Sequence, residues 1–120
     1  MTVPIIPGNY AFGRAFEVFV VNEIYRLIRY KDLEWNVSYL RTKDDAEIDV
    51  IVDRPDRQRS LVEIKATSRI DSSDVAALAR FLPDFPNCSA YCLSNDPNPQ
   101  MFGPIRALPW QQGLRELGLM

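Results

Sequence analysis

The stretch "AEIDVIVDRPDRQRSLVEIKA", residues 46–66, decides how the chain reads. Two short runs rich in isoleucine and valine flank the loop "RPDRQR", the pattern of two β-strands joined by a turn. Alternation along a strand puts Ile48, Val50 and Val52 on one face, and Val62, Ile64 and Ala66 on the matching face of the second run, so that face is expected to be wholly apolar. The opposite faces carry Glu47, Asp49, Ile51 and Asp53 on the first strand and Leu61, Glu63 and Lys65 on the second. A turn centred on Asp56 sets Asp49 across from Glu63 and Glu47 across from Lys65, a register that the sequence leaves open.

Those charges admit two readings. In one, the hairpin is half exposed, its charges are solvated, and Glu47 and Lys65 form a cross-strand pair. In the other, the opposed carboxylates of Asp49 and Glu63 hold a cation, since two like charges face to face otherwise repel. A hard divalent ion such as Mg2+ takes oxygen ligands, and carboxylates with water supply them. Lys65, two residues after Glu63 on the same strand face, is then placed to stabilise an anionic transition state or to orient and deprotonate an attacking water.

Outward from the hairpin, "FGRAFEVFVVNEIYRLIRY" has Phe12, Phe16, Phe19, Val20 and Leu27 at helical spacing, with Val21, Ile24 and Ile28 widening the apolar arc. "LEWNVSYLRT" alternates Leu33, Trp35, Val37 and Tyr39 against Glu34, Asn36 and Ser38 and reads as a strand that leads through the turn "KDDA" into the hairpin. Short connections make these strands antiparallel neighbours. Asp71 to Ser73 offer caps for a helix through "SDVAALARFL", stopped by Pro83 and Pro86, which crosses over to a strand in "CSAYCLS". "NDPNPQMFGP" reads as loop, "IRAL" as a short strand and "PWQQGLRELG" as a short helix. The class is α/β in the order α-β-β-β-α-β plus a short C-terminal strand and helix around a mixed sheet, a single domain over residues 1–120 with 1–10 as an extended lead-in.

Composition narrows the chemistry. The chain of 120 residues contains no histidine, which removes Ser-His-Asp and Cys-His catalysis and His-ligated zinc. A formal charge of −2 gives no excess of basic side chains for non-specific binding to a long duplex. Arg54, Arg57 and Arg59 at the hairpin loop, and Arg26, Arg29 and Lys31 at the end of the first helix, read as a solvated turn and a solvated helix end. Cys88 and Cys92 lie several residues apart on one strand face and are expected to be free thiols. With no charged leader and no membrane-length apolar run, the expectation is a soluble, cytoplasmic protein.

Asp49, thirteen intervening residues, then Glu63-Ile64-Lys65 in a hairpin after an acid-bearing helix resembles the PD-(D/E)XK nuclease superfamily, whose core is the restriction-endonuclease-like fold. Ile48 stands where that pattern usually has proline. The segments "GRAFEVFVVNE", "YLRTKDDAEIDVIV", "VEIKATS" and "IRALPW" together are similar to the uncharacterised domain at the C-terminus of prokaryotic AAA-type ATPases, over about Gly13 to Leu117. The resemblance implies a Mg2+- or Mn2+-dependent nuclease acting on DNA or RNA. Asp49 and Glu63 would be metal ligands, Lys65 the catalytic lysine, and Glu17 the helix acid that completes the metal shell, with Glu23 as its competitor. The alternative is a catalytically silent nuclease-fold module that docks to an AAA-type ATPase or forms a homodimer. The chain has no Gly-rich phosphate loop of its own, so it would be a free-standing relative or one domain of a longer protein.

Overall fold

Helix α1, Tyr10–Tyr30, follows directly from the apolar spacing: Phe16, Val20, Ile24, Leu27 and Ile28 are buried along one side. Phe19 sits at the margin, 48% exposed and edge-on to Trp110 at 5.3 Å between ring centroids. The helix ends where Leu33 N–H bonds the Ile28 carbonyl and Asp32 N–H bonds that of Arg29, with Asp32 at φ 52° in the left-handed position more often held by glycine. The computed structural model describes residues 10–41, 47–55 and 57–120. The expected lead-in before Tyr10, the turn at 43–46 and the centre of the hairpin loop at 56 lie outside them.

Strands β1 (Asn36–Arg41), β2 (Glu47–Asp53) and β3 (Ser60–Ile64) form the expected antiparallel meander. Asp71 then caps a 3-10 turn, Ser72–Val75, through the Ser73 amide, and α2 (Ala76–Phe81) carries the chain across to β4 (Ser89–Ser94), parallel to β3. The stretch expected to be loop contains a further strand, β5 (Gln100–Phe102), which turns through Gly103 at φ 58° into β6 (Ile105–Pro109). A three-residue strand bracketed by Pro97, Pro99, Gly103 and Pro104 has too little alternation to register in the sequence. The sheet order is β1-β2-β3-β4-β6-β5, mixed, with β6 inserted parallel to β4. Helix α3, Trp110–Leu117, closes the chain against β4 and β6 and ends at Gly118, φ 95°.

The sheet is covered on both faces. Val50, Val52, Val62, Ile64, Leu93 and Leu108 meet α1 and α3, while Ile48, Ile51, Leu61, Ala90, Cys92, Ile105 and Ala107 meet the α2 side. That partition corrects the expected faces of β2. Between Ser38↔Ile51 and Leu40↔Ile48, Tyr39 of β1 faces Asp49 and Val50 together, a bulge with one extra residue in β2. The extra residue moves Ile48 to the face of Ile51 and frees Asp49 from strict alternation. It also leaves Tyr39 73% exposed, where alternation had paired it with the partly buried Leu33, Trp35 and Val37.

The arginines near the hairpin loop are largely engaged within the fold. Arg54 donates to the Leu117 carbonyl at the end of α3 (2.8 Å) and to the Gln58 carbonyl (3.0 Å), and its guanidinium lies 5.7 Å from the Trp35 ring centre. Arg59 pairs with Asp53 at 2.6 Å. Cys88 and Cys92 are free thiols. Among the described residues no helix is long and apolar enough to cross a membrane.

Gly113 sets how closely α3 approaches the sheet. A Cβ there would stand 2.1 Å from Leu93 Cδ2 and 3.2 Å from Cδ1, and Leu93 is completely buried. Gly113→Ala is expected to lower unfolding free energy by about 1–2 kcal/mol in urea titrations, because overpacking outweighs the gain in helix propensity. The same change made on a Leu93→Ala background should cost little or stabilise. Equal losses on both backgrounds would show that contact with Leu93 is not the cause.

Candidate active site

The register β2 takes with β3 is the one centred on residue 56: Val50↔Val62, Ile51↔Leu61 and Val52↔Ser60. Beyond Val50 the pairing stops. There Asp49 Oδ2 accepts the Ile64 N–H at 2.8 Å, standing in for the backbone carbonyl that a continuing strand would have offered. The third strand meanwhile keeps its hold on β4, since Lys65 N–H bonds the Leu93 carbonyl at 2.9 Å and Asn95 N–H bonds that of Thr67 at 3.1 Å. Two strands therefore part while the third line of the sheet stays intact, and a cleft of about 330 Å³ opens at the parting.

The cleft collects charge from three elements. The first turns of α1 contribute Arg14 and Glu17, β2 contributes Asp49, and β3 with its extension contributes Glu63 and Lys65. Glu63 is 6% exposed, and Lys65 Nζ lies 3.4 Å from its Oε1. Burial, followed by the charge of Glu63 and then that of Glu17, pushes the Asp49 carboxyl up from 3.8 to about 8, against the pull of the Ile64 amide. At neutral pH Asp49 therefore carries a proton and is hydrogen-bonded to the Glu17 side chain. Burial works against the charge on Lys65, but Glu63, with Asp49 and Asp74 behind it, more than offsets this and holds its pKa above the ordinary 10.5. Cys92, paired with Glu63 across β3 and β4, is pushed up to about 12 by burial and by that neighbour, so it stays an unreactive thiol.

All four residues singled out in the sequence, Glu17, Asp49, Glu63 and Lys65, thus line one cleft. Glu23 does not: it receives Arg26 Nε at 3.0 Å and Nη2 at 2.9 Å in a bidentate pair, which lowers its pKa. The expected Glu47–Lys65 pair falls outside the described side chains. Arg14 was not singled out, although it lies three residues before Glu17 and so on the same side of the helix. Asp74, which acts on Lys65, was hidden by a second role, since its carboxylate accepts the Asp71 N–H in the capping box. Among the described residues no three acidic or cysteine side chains are already gathered at metal-ligand spacing.

An α/β domain with an acidic cleft where two strands part is what the fold and site define. The chain belongs to the family described as domain of unknown function DUF4143, whose model matches residues 12–112. No curated protein and no solved structure gives a significant match to it. The matched span runs from the start of α1 into α3 and includes every residue of the cleft.

The proton on Asp49 couples the cleft to stability. A carboxyl whose folded pKa is raised stabilises the fold fully below its unfolded value near 3.8, and loses that contribution as pH climbs towards about 8. Asp49→Asn keeps an acceptor for Ile64 N–H and a donor for Glu17 without ionising. It is expected to unfold at higher urea than the parent at pH 8.5, by on the order of 2 kcal/mol, and to match it near pH 4. Parallel pH profiles for the two proteins would show that Asp49 does not titrate as described.

Proposed function

We propose that the cleft hydrolyses phosphodiester bonds in nucleic acid with the help of Mg2+ or Mn2+, as a nuclease of the PD-(D/E)XK type with a restriction-endonuclease-like core. The observation that carries this reading is the parting of β2 from β3, which buries Asp49 beside Glu63 and Glu17 with Lys65 at the rim. Acids forced together so that the ionised form of one is disfavoured are the arrangement a cation relieves. The donor set fits a hard divalent ion in kind, being all oxygen, with Asp49, Glu63 and Glu17 as the ligands. Such an ion would neutralise the scissile phosphate and lower the pKa of a bound water.

The chain's own groups divide the remaining work. Lys65, held as the ammonium by Glu63, is an electrostatic partner for the charge that builds on the phosphate oxygens and is no base for water at neutral pH. Glu63 aims that ammonium at the cleft. Water adds to phosphorus and gives up one proton to solvent while one ester P–O bond breaks, and the leaving oxygen takes a proton from solvent. The two unpaired cysteines suit the reducing cytoplasm expected for such an enzyme.

A second reading is favoured by a specific observation. The family match is consistent with a domain associated with AAA-type ATPases, which suits a catalytically silent nuclease-fold module. That module would act by binding an ATPase or a second copy of itself.

Calorimetric titration with Mg2+ and Mn2+, followed by incubation with plasmid and single-stranded DNA and RNA, separates the two. The nuclease reading expects ion binding that Asp49→Ala abolishes and cleavage that Lys65→Ala reduces by about 10²–10³-fold. Neither binding nor cleavage in the parent protein would leave the silent module.

A further inference from the structure

The outer side of α1 carries a stripe that the cleft does not use. Arg14, Val18, Asn22, Tyr25 and Arg29 fall within an arc of about 80° on a 3.6-residue helix, and all of them are exposed. The stripe contains no acid, in a chain whose formal charge is −2. Both acidic residues of α1 are accounted for elsewhere, Glu17 in the cleft and Glu23 on Arg26. Among the described residues neither Arg14 nor Arg29 forms an ion pair. Arg14 belongs to the cleft wall, and a hollow of about 390 Å³ lined by Asn22, Tyr25, Arg26 and Arg29 lies further along the same helix.

We infer that this stripe binds a single strand of nucleic acid and leads it into the cleft, an inference that rests on the nuclease reading. Arg14 and Arg29 contact phosphates, and the ring of Tyr25, 40% exposed, offers a stacking face to an unpaired base. The fifteen helical steps from Arg14 to Arg29 span about 22 Å, so contacts are spread along several nucleotides. Charge complementarity selects this occupant. A partner protein would need an apolar anchor, and Val18 is the only aliphatic side chain in the stripe, while neighbouring Phe19 is edge-packed on Trp110. A duplex would leave the tyrosine ring without a base face to cover.

The test is fluorescence anisotropy of a labelled single-stranded oligothymidylate with the full chain in EDTA, where binding is read apart from metal-dependent cutting. Arg14→Ala and Arg29→Ala are expected to weaken binding and each to reduce the slope of log affinity against log salt by about 0.7. Tyr25→Ala should weaken it by about tenfold and Tyr25→Phe should leave it near the parent. Arg80→Ala, an exposed arginine of α2 on the other side of the sheet, should have no effect. No binding by the parent, or equal losses from Arg80→Ala and Arg29→Ala, would overturn the inference. Lys65-dependent cleavage persisting in that case would leave the nuclease reading intact. Binding through the stripe without any metal-dependent cleavage would uphold the strand-binding face and remove the nuclease reading instead.

Discussion

One hydrogen bond, from the Ile64 amide to the Asp49 carboxyl, stands where the ladder between β2 and β3 would otherwise continue. A buried amide at that point needs an acceptor, and the bulge opposite Tyr39 has carried the β2 backbone away from it. The side chain fills the role, and in doing so Asp49 is drawn into a wall it would not choose on its own. Its burial, its nearness to Glu63 and the proton it holds all follow from that substitution of side chain for backbone. The same carboxylate is thereby a structural acceptor and the most perturbed acid of the cleft. Fold stability consequently works on Asp49 in two directions, the Ile64 amide favouring its ionised form and burial opposing it.

Much of this architecture was legible in the chain. The meander and the crossover follow from alternation and short loops, whereas the register centred on residue 56, one the sequence leaves open, is settled only by the pairing of Val50 with Val62 and Val52 with Ser60. The bulge did not show. Ile48, Val50 and Val52 are alternating apolar residues whether or not an extra residue intervenes, and both faces of the sheet are buried, so Ile48 finds apolar company on either side. For the same reason β3, buried at all of its five positions, gives no inside-outside contrast to read.

The site was legible through the charges that interrupt this apolar pattern. Two carboxylates opposed across a hairpin repel unless a cation or a proton comes between them, and Asp49 and Glu63, with Lys65 beside them, stand out on that ground. The helix acid was harder, since Glu17 and Glu23 both lie near the apolar arc. Geometry parts them through Arg26, three residues after Glu23 and able to grip it from the same side of the helix, while Glu17 faces a strand end with Arg14 beside it. Arginine's engagement elsewhere is equally a matter of tertiary placement: Arg54 sits on the carbonyl of Leu117, a residue far away in the chain.

The insertion of β6 between β4 and β5 has a consequence for synthesis on the ribosome. Until β6 arrives, β4 has an unpaired edge, and Leu108, Leu114, Leu117 and Leu119 are missing from the cluster that covers α1. A chain made from its N-terminus must therefore hold the apolar side of α1 and an open strand edge until residue 119 has emerged, the interval in which such surfaces invite aggregation or chaperones. The cleft residues, all from α1, β2 and β3 with its extension, are made before the elements that complete the apolar cover of that helix.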